Sequence, residues 1–368
     1  MKTKTKRGSF LTNLALLAAS TVITLLLCEL LLRVLGFGPL YTSPERDRYW
    51  KYDSLLGWAH QPGQEGVFET PQFRTSVHIN SKGLRDEEHT YERNGETPRI
   101  LVLGDSFTWG YGVEEPERFS EWLEKSLGAE VINAGVSGYS TDQELLWMQT
   151  EGTKYDIDLI ILVFAGNDIG DNLRQIVNTI YYKPQFIEKD GDLVLTGNPV
   201  PRASVKERTL YFASQRSALV FFLVQRWFDL QLSYNKLKSN EDNLEATDQR
   251  EPQSSTGIAA VESGPEEPFE LTIDLLDEIR NFAVAKEAGF IIVATDRWWN
   301  HPSGAAYSDF ITSLEAHEFL VLDVEAMSGF DPEQMDIADD GHWNKLGHEF
   351  VAEKIGEAIA DHHLLPNQ

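Results

Sequence analysis

Short runs of consecutive apolar residues alternate with stretches of helical period along much of the chain. Five runs have the length and composition of strands that are buried on both faces: residues 99–103, 131–132, 159–164, 290–295 and 319–324. Apolar positions at helical spacing lie between them, for example in residues 119–127, which end at Gly128. Thr141 and Glu144 have the spacing of a capping box for the helix after the second run. This alternation predicts a three-layer α/β/α domain with a five-stranded parallel sheet, of flavodoxin-like type.

The apolar stretch Leu14–Cys28 near the N-terminus is much longer than these strands. Four cations lie in the basic tail of residues 1–8, whereas Arg33 is the one cation directly after the stretch. Because cations favour the cytoplasmic side, this asymmetry predicts a cytoplasmic N-terminus and a periplasmic or extracellular remainder. We therefore predict an uncleaved, single-pass signal anchor over residues 9–36.

Three other interpretations of this stretch stay open. A cleaved signal peptide needs small residues after its apolar core, where this chain has Leu25–Leu27. Lipid attachment at Cys28 would want a small residue in place of Leu27. A buried soluble helix fits poorly with the clustered cations. Glu29 is costly in lipid unless it lies near the interface or finds a partner.

The remaining chain divides by composition. Residues 37–97 are rich in Gly, Pro and aromatic residues and predict short strands and turns, and residues 98–175 and 269–364 form the two halves of the α/β domain. Between these halves we predict an insertion at 176–237 and a flexible polar linker at 238–268.

The insertion carries two features of its own. Residues 189–192 predict the turn of a hairpin, and residues 217–228 form an amphipathic stretch that is too short to span a bilayer. That stretch fits a lid, a membrane-facing surface or a helix packed on the core, and we favour the last.

Charge and cysteine content exclude several functions. The formal net charge is −26, from 32 basic and 58 acidic residues. Such a surface repels phosphate backbones and anionic lipid headgroups, so we expect no nucleic-acid partner. Cys28 is the only cysteine, which excludes an intramolecular disulfide, a zinc–thiolate cluster and a cysteine nucleophile in the exported part.

Polar segments follow three of the predicted strands and precede the last helix. Ligands of open parallel sheets bind beyond the carboxyl ends of the strands, so these segments are the candidates for chemistry. They are Gly104-Asp105-Ser106, Asn133–Tyr139, Ala165–Asp168 and Asp339–Asn344.

In these segments the chain resembles the SGNH, or GDSL-type, hydrolase family over residues 98–175 and 270–363. The resemblance implies that Ser106 is the nucleophile and that Asp339 and His342 are its Asp-x-x-His pair. It also implies that Gly138 and Asn167 form an oxyanion hole together with the backbone N–H of Ser106. The family's five-stranded parallel sheet agrees with the strand count above.

The residue types suit acyl transfer on their own chemistry. A serine hydroxyl needs a base such as histidine, and a carboxylate on the other ring nitrogen fixes the tautomer of that base. Asp340 is adjacent to Asp339 and offers an alternative carboxylate, with Asp339 favoured by the family spacing. N–H donors at Ser106, Gly138 and Asn167 would stabilise the negative charge of the intermediate.

Other side chains have both a functional and a structural interpretation. Four aromatic residues are candidates for substrate binding, although packing is at least as plausible for them: Trp109, Tyr139, Trp298 and Trp299. Asp168 and Asp171 resemble a pair of metal ligands, but no third ligand stands out beside them, so we predict no metal site. We also predict no cofactor. Nucleotide binding is disfavoured because Gly104-Asp105-Ser106 has no P-loop lysine. The histidines of the last helix, His348, His362 and His363, are expected in solvent.

Three functions fit this sequence. The first is a membrane-anchored serine esterase acting through an acyl-enzyme on a small acyl ester, a lipid or an acylated envelope glycan. The second is an O-acyltransferase that resolves the same intermediate with a sugar hydroxyl. The third is a non-catalytic glycan-binding module that keeps the motifs. Acceptor-dependent turnover and labelling of Ser106 by a phosphonate separate them.

Overall fold

The computed structural model describes residues 4–37, 46–93, 95–177, 180–227, 230 and 269–366. The chain divides into two compact units, which are Met1–Thr42 with Ser204–Glu262 and Ser43–Ala203 with Ser263–Gln368. The predicted linker at 238–268 lies outside the described residues.

The described residues contain helices and strands that we number in chain order. The helices are α1 (Lys4–Val34), α2 (Arg46–Tyr49), α3 (Ser106–Trp109), α4 (Phe119–Leu127), α5 (Thr141–Thr150), α6 (Asp168–Asp171), α7 (Val205–Ser214), α8 (Ala218–Trp227), α9 (Glu270–Ala285), α10 (Tyr307–Ala316), α11 (Pro332–Met335) and α12 (Lys345–Asp361). The strands are β1 (Trp50–Asp53), β2 (Gly57–His60), β3 (Glu65–Glu69), β4 (Arg74–His78), β5 (Arg99–Gly104), β6 (Glu130–Asn133), β7 (Leu159–Ala165), β8 (Ile176–Val177), β9 (Tyr181–Tyr182), β10 (Gln185–Lys189), β11 (Asp192–Thr196), β12 (Gly289–Thr295) and β13 (Val321–Asp323).

The second unit is built on a five-stranded sheet in the order β13-β12-β7-β5-β6. Every neighbouring pair in it is parallel, which confirms the predicted sheet. Alternate side chains of the central strands pack on opposite sides. Leu101 and Ile160 belong to one buried cluster, whereas Ile100 and Ile161 belong to the other. The apolar runs therefore have no polar face because both faces are covered.

Helices cover the sheet on both sides and complete the predicted three layers. On one side α5 and α9 contribute buried residues such as Leu145 and Ile273. On the other side α4 and α12 contribute Leu123 and Ile355. Because the strands are parallel, their carboxyl ends meet at one edge of the sheet, where the polar segments follow.

The described residues also form four smaller two-stranded sheets, which pair β1 with β2, β3 with β4, β8 with β9 and β10 with β11. In the last of these Lys189 pairs with Asp192, so the hairpin turn lies at the residues from which it was predicted. Asp190 and Gly191 occupy that turn with φ of 56° and 85°. This half of the insertion belongs to the second unit.

Two local expectations for the second unit are wrong. The spacing of Thr141 and Glu144 suits a capping box, but Ser140 is the N-cap of α5 and makes no side-chain capping hydrogen bond. Glu144 is instead buried. His348 is also buried, at 1% exposure, because it packs against the ring of Phe119 on the neighbouring helix α4.

The first unit contains α1, α7 and α8. Within α1, Phe10–Val34 has a mean hydropathy of 2.3 and is the one stretch of the described residues that is long and apolar enough to cross a membrane. We expected α8 to pack on the α/β core, whereas it groups with α1.

Candidate active site

Ser106 begins α3 directly after strand β5. Asp105 caps this short helix, since its carboxylate accepts a hydrogen bond from the Phe107 N–H at 2.9 Å. Gly104 has φ of 149°, and a Cβ there would lie 2.2 Å from Thr108 Oγ1. The turn therefore requires glycine, and it holds Ser106 at the end of the strand with 7% exposure.

His342 lies opposite, in the loop before α12. Its Nε2 is 2.7 Å from Ser106 Oγ, a hydrogen-bond distance between residues 236 positions apart in the chain. The loop is held by a bridge between Asp336 and Trp343 and by the N-cap Asn344, whose side chain accepts from the Leu346 N–H. The predicted nucleophile and base are thus brought together.

The carboxylate at the imidazole is that of Asp340, and the expectation of Asp339 is corrected. Asp340 Oδ1 lies 2.5 Å from His342 Nδ1. Asp339 has φ of 60° and an exposed side chain. Partial burial acts to raise the pKa of Asp340, but the hydrogen bond and the charge of His342 outweigh it, so this pKa is lowered.

The loop after β6 is tied to the loop of Ser106. The Val136 N–H donates to the Gly104 carbonyl at 3.0 Å. Gly135 lies so close to α3 that a Cβ would be 2.4 Å from Trp109 N. Gly138 has φ of 81°, in the left-handed region that favours glycine. This packing brings the loop of Gly138 against α3, which carries Ser106.

Asn167 follows β7, on the other side of β5. Its Nδ2 donates to Asp171 at 3.3 Å, and its buried Oδ1 has no hydrogen-bond partner. Ser106, Gly138 and Asn167 thus follow three strands that lie side by side in the sheet. The structure places these three predicted donors at the same edge.

Three aromatic rings surround His342. The ring centroids of Tyr111, Trp298 and Phe107 lie 4.3, 4.7 and 5.0 Å from that of the imidazole. Sequence reasoning missed Tyr111 and Phe107, although their positions within five residues of Ser106 were a signal. The rings restrict the orientation of the imidazole and shield it from water.

Of the four aromatic candidates for substrate binding, Trp298 lies at the site. It is 43% exposed and contacts both His342 and Phe107. The other three are packing residues in this structure. Trp109 and Tyr139 are fully buried, and Trp299 donates its indole N–H to the Ala305 carbonyl at 2.8 Å.

Sequence reasoning also missed a cluster of buried carboxyls behind Ser106. Burial raises the pKa of Asp105 to about 6. Burial, followed by the charges of Asp105 and Asp142, raises the pKa of Glu144 well above its usual range. The pKa of Asp168 is raised in the same way, by burial and then by Glu144 and Asp105. Neither carboxyl oxygen of Glu144 has a hydrogen-bond partner.

This cluster does not have the arrangement of a metal site. Among the described residues no three His, Cys, Asp or Glu side chains form a group that could hold a metal ion. Asp171 is engaged by Asn167 and by Arg174, and Asp168 accepts from the Ala165 N–H. These contacts give both aspartates a structural role.

Comparison with known proteins adds a family match to this geometry. The model of the GDSL-like lipase/acylhydrolase family matches residues 102–183. No curated protein matches the chain.

Solved structures with a similar fold have low sequence identity and low TM-scores. A protein assigned to the G-D-S-L lipolytic family from Desulfitobacterium hafniense has 11% identity and a TM-score of 0.39, over 71% of this chain and 99% of its own. A lipase/acylhydrolase from Enterococcus faecalis has 14% identity and a TM-score of 0.37, over 74% and 99%. A two-domain esterase active on acetylated mannans has 13% identity and a TM-score of 0.37, over 73% and 50%.

Proposed function

We propose that this chain is an ester-hydrolysing enzyme of the GDSL-like lipase/acylhydrolase family, whose model matches residues 102–183, and that it cleaves its ester through an acyl-enzyme on Ser106. One observation carries the proposal. Ser106 Oγ, His342 and Asp340 form a continuous hydrogen-bonded chain, with 2.7 Å between Oγ and Nε2 and 2.5 Å between Nδ1 and the carboxylate. A nucleophile joined to a base that is itself oriented by a carboxylate is the arrangement that nucleophilic catalysis needs.

In the first half-reaction, His342 Nε2 takes the proton of Ser106 Oγ as this oxygen bonds to the ester carbonyl carbon. The carbonyl oxygen becomes negative, and the N–H groups of Ser106, Gly138 and Asn167 stabilise it. The intermediate then collapses, the bond to the alcohol oxygen breaks, and His342 gives its proton to that alcohol. The product is an ester of Ser106.

In the second half-reaction, water replaces the alcohol. His342 Nε2 takes a proton from the water, the resulting oxygen bonds to the acyl carbon, and the acid leaves as Ser106 recovers its proton. In both halves the Asp340 carboxylate stabilises the imidazolium that forms on His342. Its lowered pKa keeps it ionised at neutral pH.

We further propose that α1 anchors the enzyme to a membrane with the catalytic unit outside. The span Phe10–Val34 follows the cations of the N-terminal tail, and Arg33 is the one cation near its other end. Cations favour the cytoplasmic side, which supports this orientation. An acylated envelope glycan or a lipid ester is the substrate class within reach of such an enzyme, and Trp298 offers an exposed ring face beside His342.

The test is hydrolysis of p-nitrophenyl acetate, butyrate and octanoate by the full chain in detergent. We expect turnover by the parent and a loss of at least about 10³-fold in Ser106→Ala and His342→Ala, because nucleophile and base act as a unit. Ser308→Ala, which removes an exposed hydroxyl from α10, is the matched control and should keep the parent rate.

Labelling separates the competing functions. A fluorophosphonate should increase the intact mass of the parent by one phosphonyl group and leave the mass of Ser106→Ala unchanged. A folded parent that takes no label would contradict the serine mechanism and support the non-catalytic module. A parent that is labelled but turns over only when a sugar hydroxyl is supplied would be a transferase.

A further inference from the structure

Glu29 of α1 forms the N-terminal cap of α8. Its Oε1 accepts from the Ala218 N–H at 2.9 Å, and its Oε2 accepts from the Leu219 N–H at 2.9 Å and from Ser217 Oγ at 2.8 Å. The first N–H groups of a helix have no partner within the helix. A carboxylate at this position accepts their hydrogen bonds and interacts favourably with the positive end of the helix dipole. Glu29 therefore joins α8 to α1.

Arg33, one turn further along α1, strengthens the same junction. Its Nε donates to Glu29 at 2.7 Å, and its Nη2 donates to the Arg216 carbonyl at 3.0 Å. The rings of Phe37 and Phe222 also meet edge to face, with centroids 5.6 Å apart. The beginning of α8 is thus held at the C-terminal end of α1 by both polar and apolar contacts.

If α1 spans a membrane as proposed above, this junction lies at the depth of the membrane surface. At a rise of about 1.5 Å per residue, the twenty residues Phe10–Glu29 cover about 30 Å, the thickness of a hydrocarbon core. Glu29 then sits where the core gives way to the headgroups. In lipid its charge would be costly, and the donors of α8 and Arg33 remove that cost.

α7 and α8 expose large apolar side chains in this setting. Leu223 and Trp227 lie four residues apart on one face of α8 and are 56% and 61% exposed. Leu210 and Phe212 on α7 are 44% and 57% exposed. Four residues is one turn, so the α8 pair forms a stripe, and tryptophan is enriched at membrane interfaces.

The charge of this segment is opposite to that of the whole chain. Residues 204–227 contain four cations, Lys206, Arg208, Arg216 and Arg226, against the single carboxylate Glu207. Their net charge is +3 in a protein of net charge −26. The repulsion of anionic headgroups expected from the overall charge is therefore reversed locally.

We propose that α7 and α8 form an interfacial element that binds the outer surface of the same membrane that α1 spans. The exposed side chains of Leu223 and Trp227 enter the boundary between headgroups and acyl chains, and the cations contact anionic headgroups. The proposal rests on the membrane anchoring proposed above. It assigns to this half of the insertion a lipid surface as its partner.

The test uses the full chain in lipid nanodiscs and a single fluorescent label. Cys28→Ser removes the only cysteine, and Leu223→Cys then carries an environment-sensitive NBD group. Lipids with a doxyl quencher report burial in the bilayer, and iodide reports contact with water. Leu17→Cys on α1 is the control for anchoring, and Val284→Cys, an exposed apolar position on α9, is the control for the surface of the second unit.

We expect doxyl lipids to remove at least about half of the NBD emission at Leu223→Cys and Leu17→Cys, with protection from iodide at both. Val284→Cys should be quenched by iodide. Doxyl quenching at Leu223→Cys should also fall when phosphatidylglycerol is replaced by phosphatidylcholine, whereas that at Leu17→Cys should not. Trp227→Cys is a second reporter should Leu223→Cys change the melting temperature.

Iodide quenching at both α8 positions, with Leu17→Cys protected, would overturn the interfacial element and leave the anchor in place. Iodide quenching at Leu17→Cys as well would overturn the anchor itself. Equal doxyl quenching in both lipid mixtures would overturn the part assigned to the cations.

Discussion

At the scale of single residues, the loop before α12 carries two adjacent carboxylates, one of which meets the imidazole of His342. Asp339 adopts a left-handed φ of 60° and its side chain stays exposed. Asp340, one residue later, places its carboxylate at Nδ1 and also accepts from the His342 backbone N–H at 3.3 Å. Backbone conformation therefore decides between two residues that look equivalent in the sequence.

This difference gives a paired prediction. We expect Asp340→Asn to lower kcat on p-nitrophenyl acetate by about 10³- to 10⁴-fold, because the amide no longer fixes the imidazole tautomer or stabilises the imidazolium. Asp339→Asn removes the same charge one residue away and should keep the parent rate within about threefold. Initial rates at saturating ester measure both.

If Asp339→Asn loses more activity than Asp340→Asn, then Asp339 is the carboxylate that orients His342, as the family spacing favours. Equal and small losses in both variants would mean that neither carboxylate orients the base. Melting temperatures show whether a loss of rate comes from unfolding.

At the scale of elements, helix α5 buries a carboxyl group in the interior, behind the ends of the strands. Glu144 is 2% exposed and has no hydrogen-bond partner, and its pKa is raised well above the usual range by burial and by the charges of Asp105 and Asp142. The folded state therefore holds a proton that the unfolded state releases near pH 4. This contribution to stability is present below that pH and is lost as the pH rises through the folded pKa.

Because the parent loses this contribution as the pH rises, we expect its free energy of unfolding to depend more on pH than that of Glu144→Gln. The amide stays neutral, so the variant should gain stability relative to the parent between pH 5 and pH 8, by about 1 kcal/mol or more. Thermal or urea unfolding at the two pH values measures the gain. Glu349→Gln, at an exposed position of α12, should show no such gain. If the free energies of unfolding of Glu144→Gln and the parent differ by the same amount at both pH values, Glu144 does not hold a buried proton.

At the scale of the whole molecule, the residues before β5 join the α/β sheet through buried ion pairs. Arg118 is fully buried and pairs with Asp86 at 3.0 Å and with Glu121 at 2.6 Å. Asp86 also accepts from the Asn133 N–H at 2.7 Å, at the end of β6. Arg85 donates to the carbonyls of Trp109, Gly110 and Val113, at the end of α3 and just after it. The segment between α1 and β5 thus contributes to the framework that holds Ser106.

Breaking this framework should be costly. We expect Arg118→Met to lower the free energy of unfolding by about 3–5 kcal/mol, because it removes one of the two cations that pair with buried Asp86 and leaves His89, at 3.0 Å, as the other. Lys154→Met is the comparison, since its pair with Glu151 is exposed and should contribute below about 1 kcal/mol. Urea unfolding of the full chain in detergent measures both. Equal losses in the two variants would show that the pair at Asp86 does not stabilise the fold.

Most of the fold followed from local pattern. A strand covered on both faces needs a continuous apolar run, so the runs at 99–103 and 159–164 predicted β5 and β7 closely. The prediction that Thr141 caps α5 was wrong because the choice between Ser140 and Thr141 depends on where the backbone enters the helix. The burial of His348 was missed because it depends on α4, which is distant in sequence.

The sequence by itself determined the strands, their parallel arrangement, the apolar span of α1 and the pairing of a serine with a distant histidine. Each of these rests on local periodicity or on a short motif. Only the tertiary structure decided that Asp340 meets His342, that Trp298 rather than Trp109 borders the site, and that Glu29 caps α8. These outcomes depend on single backbone angles and on contacts between residues up to 236 positions apart, which no local pattern contains.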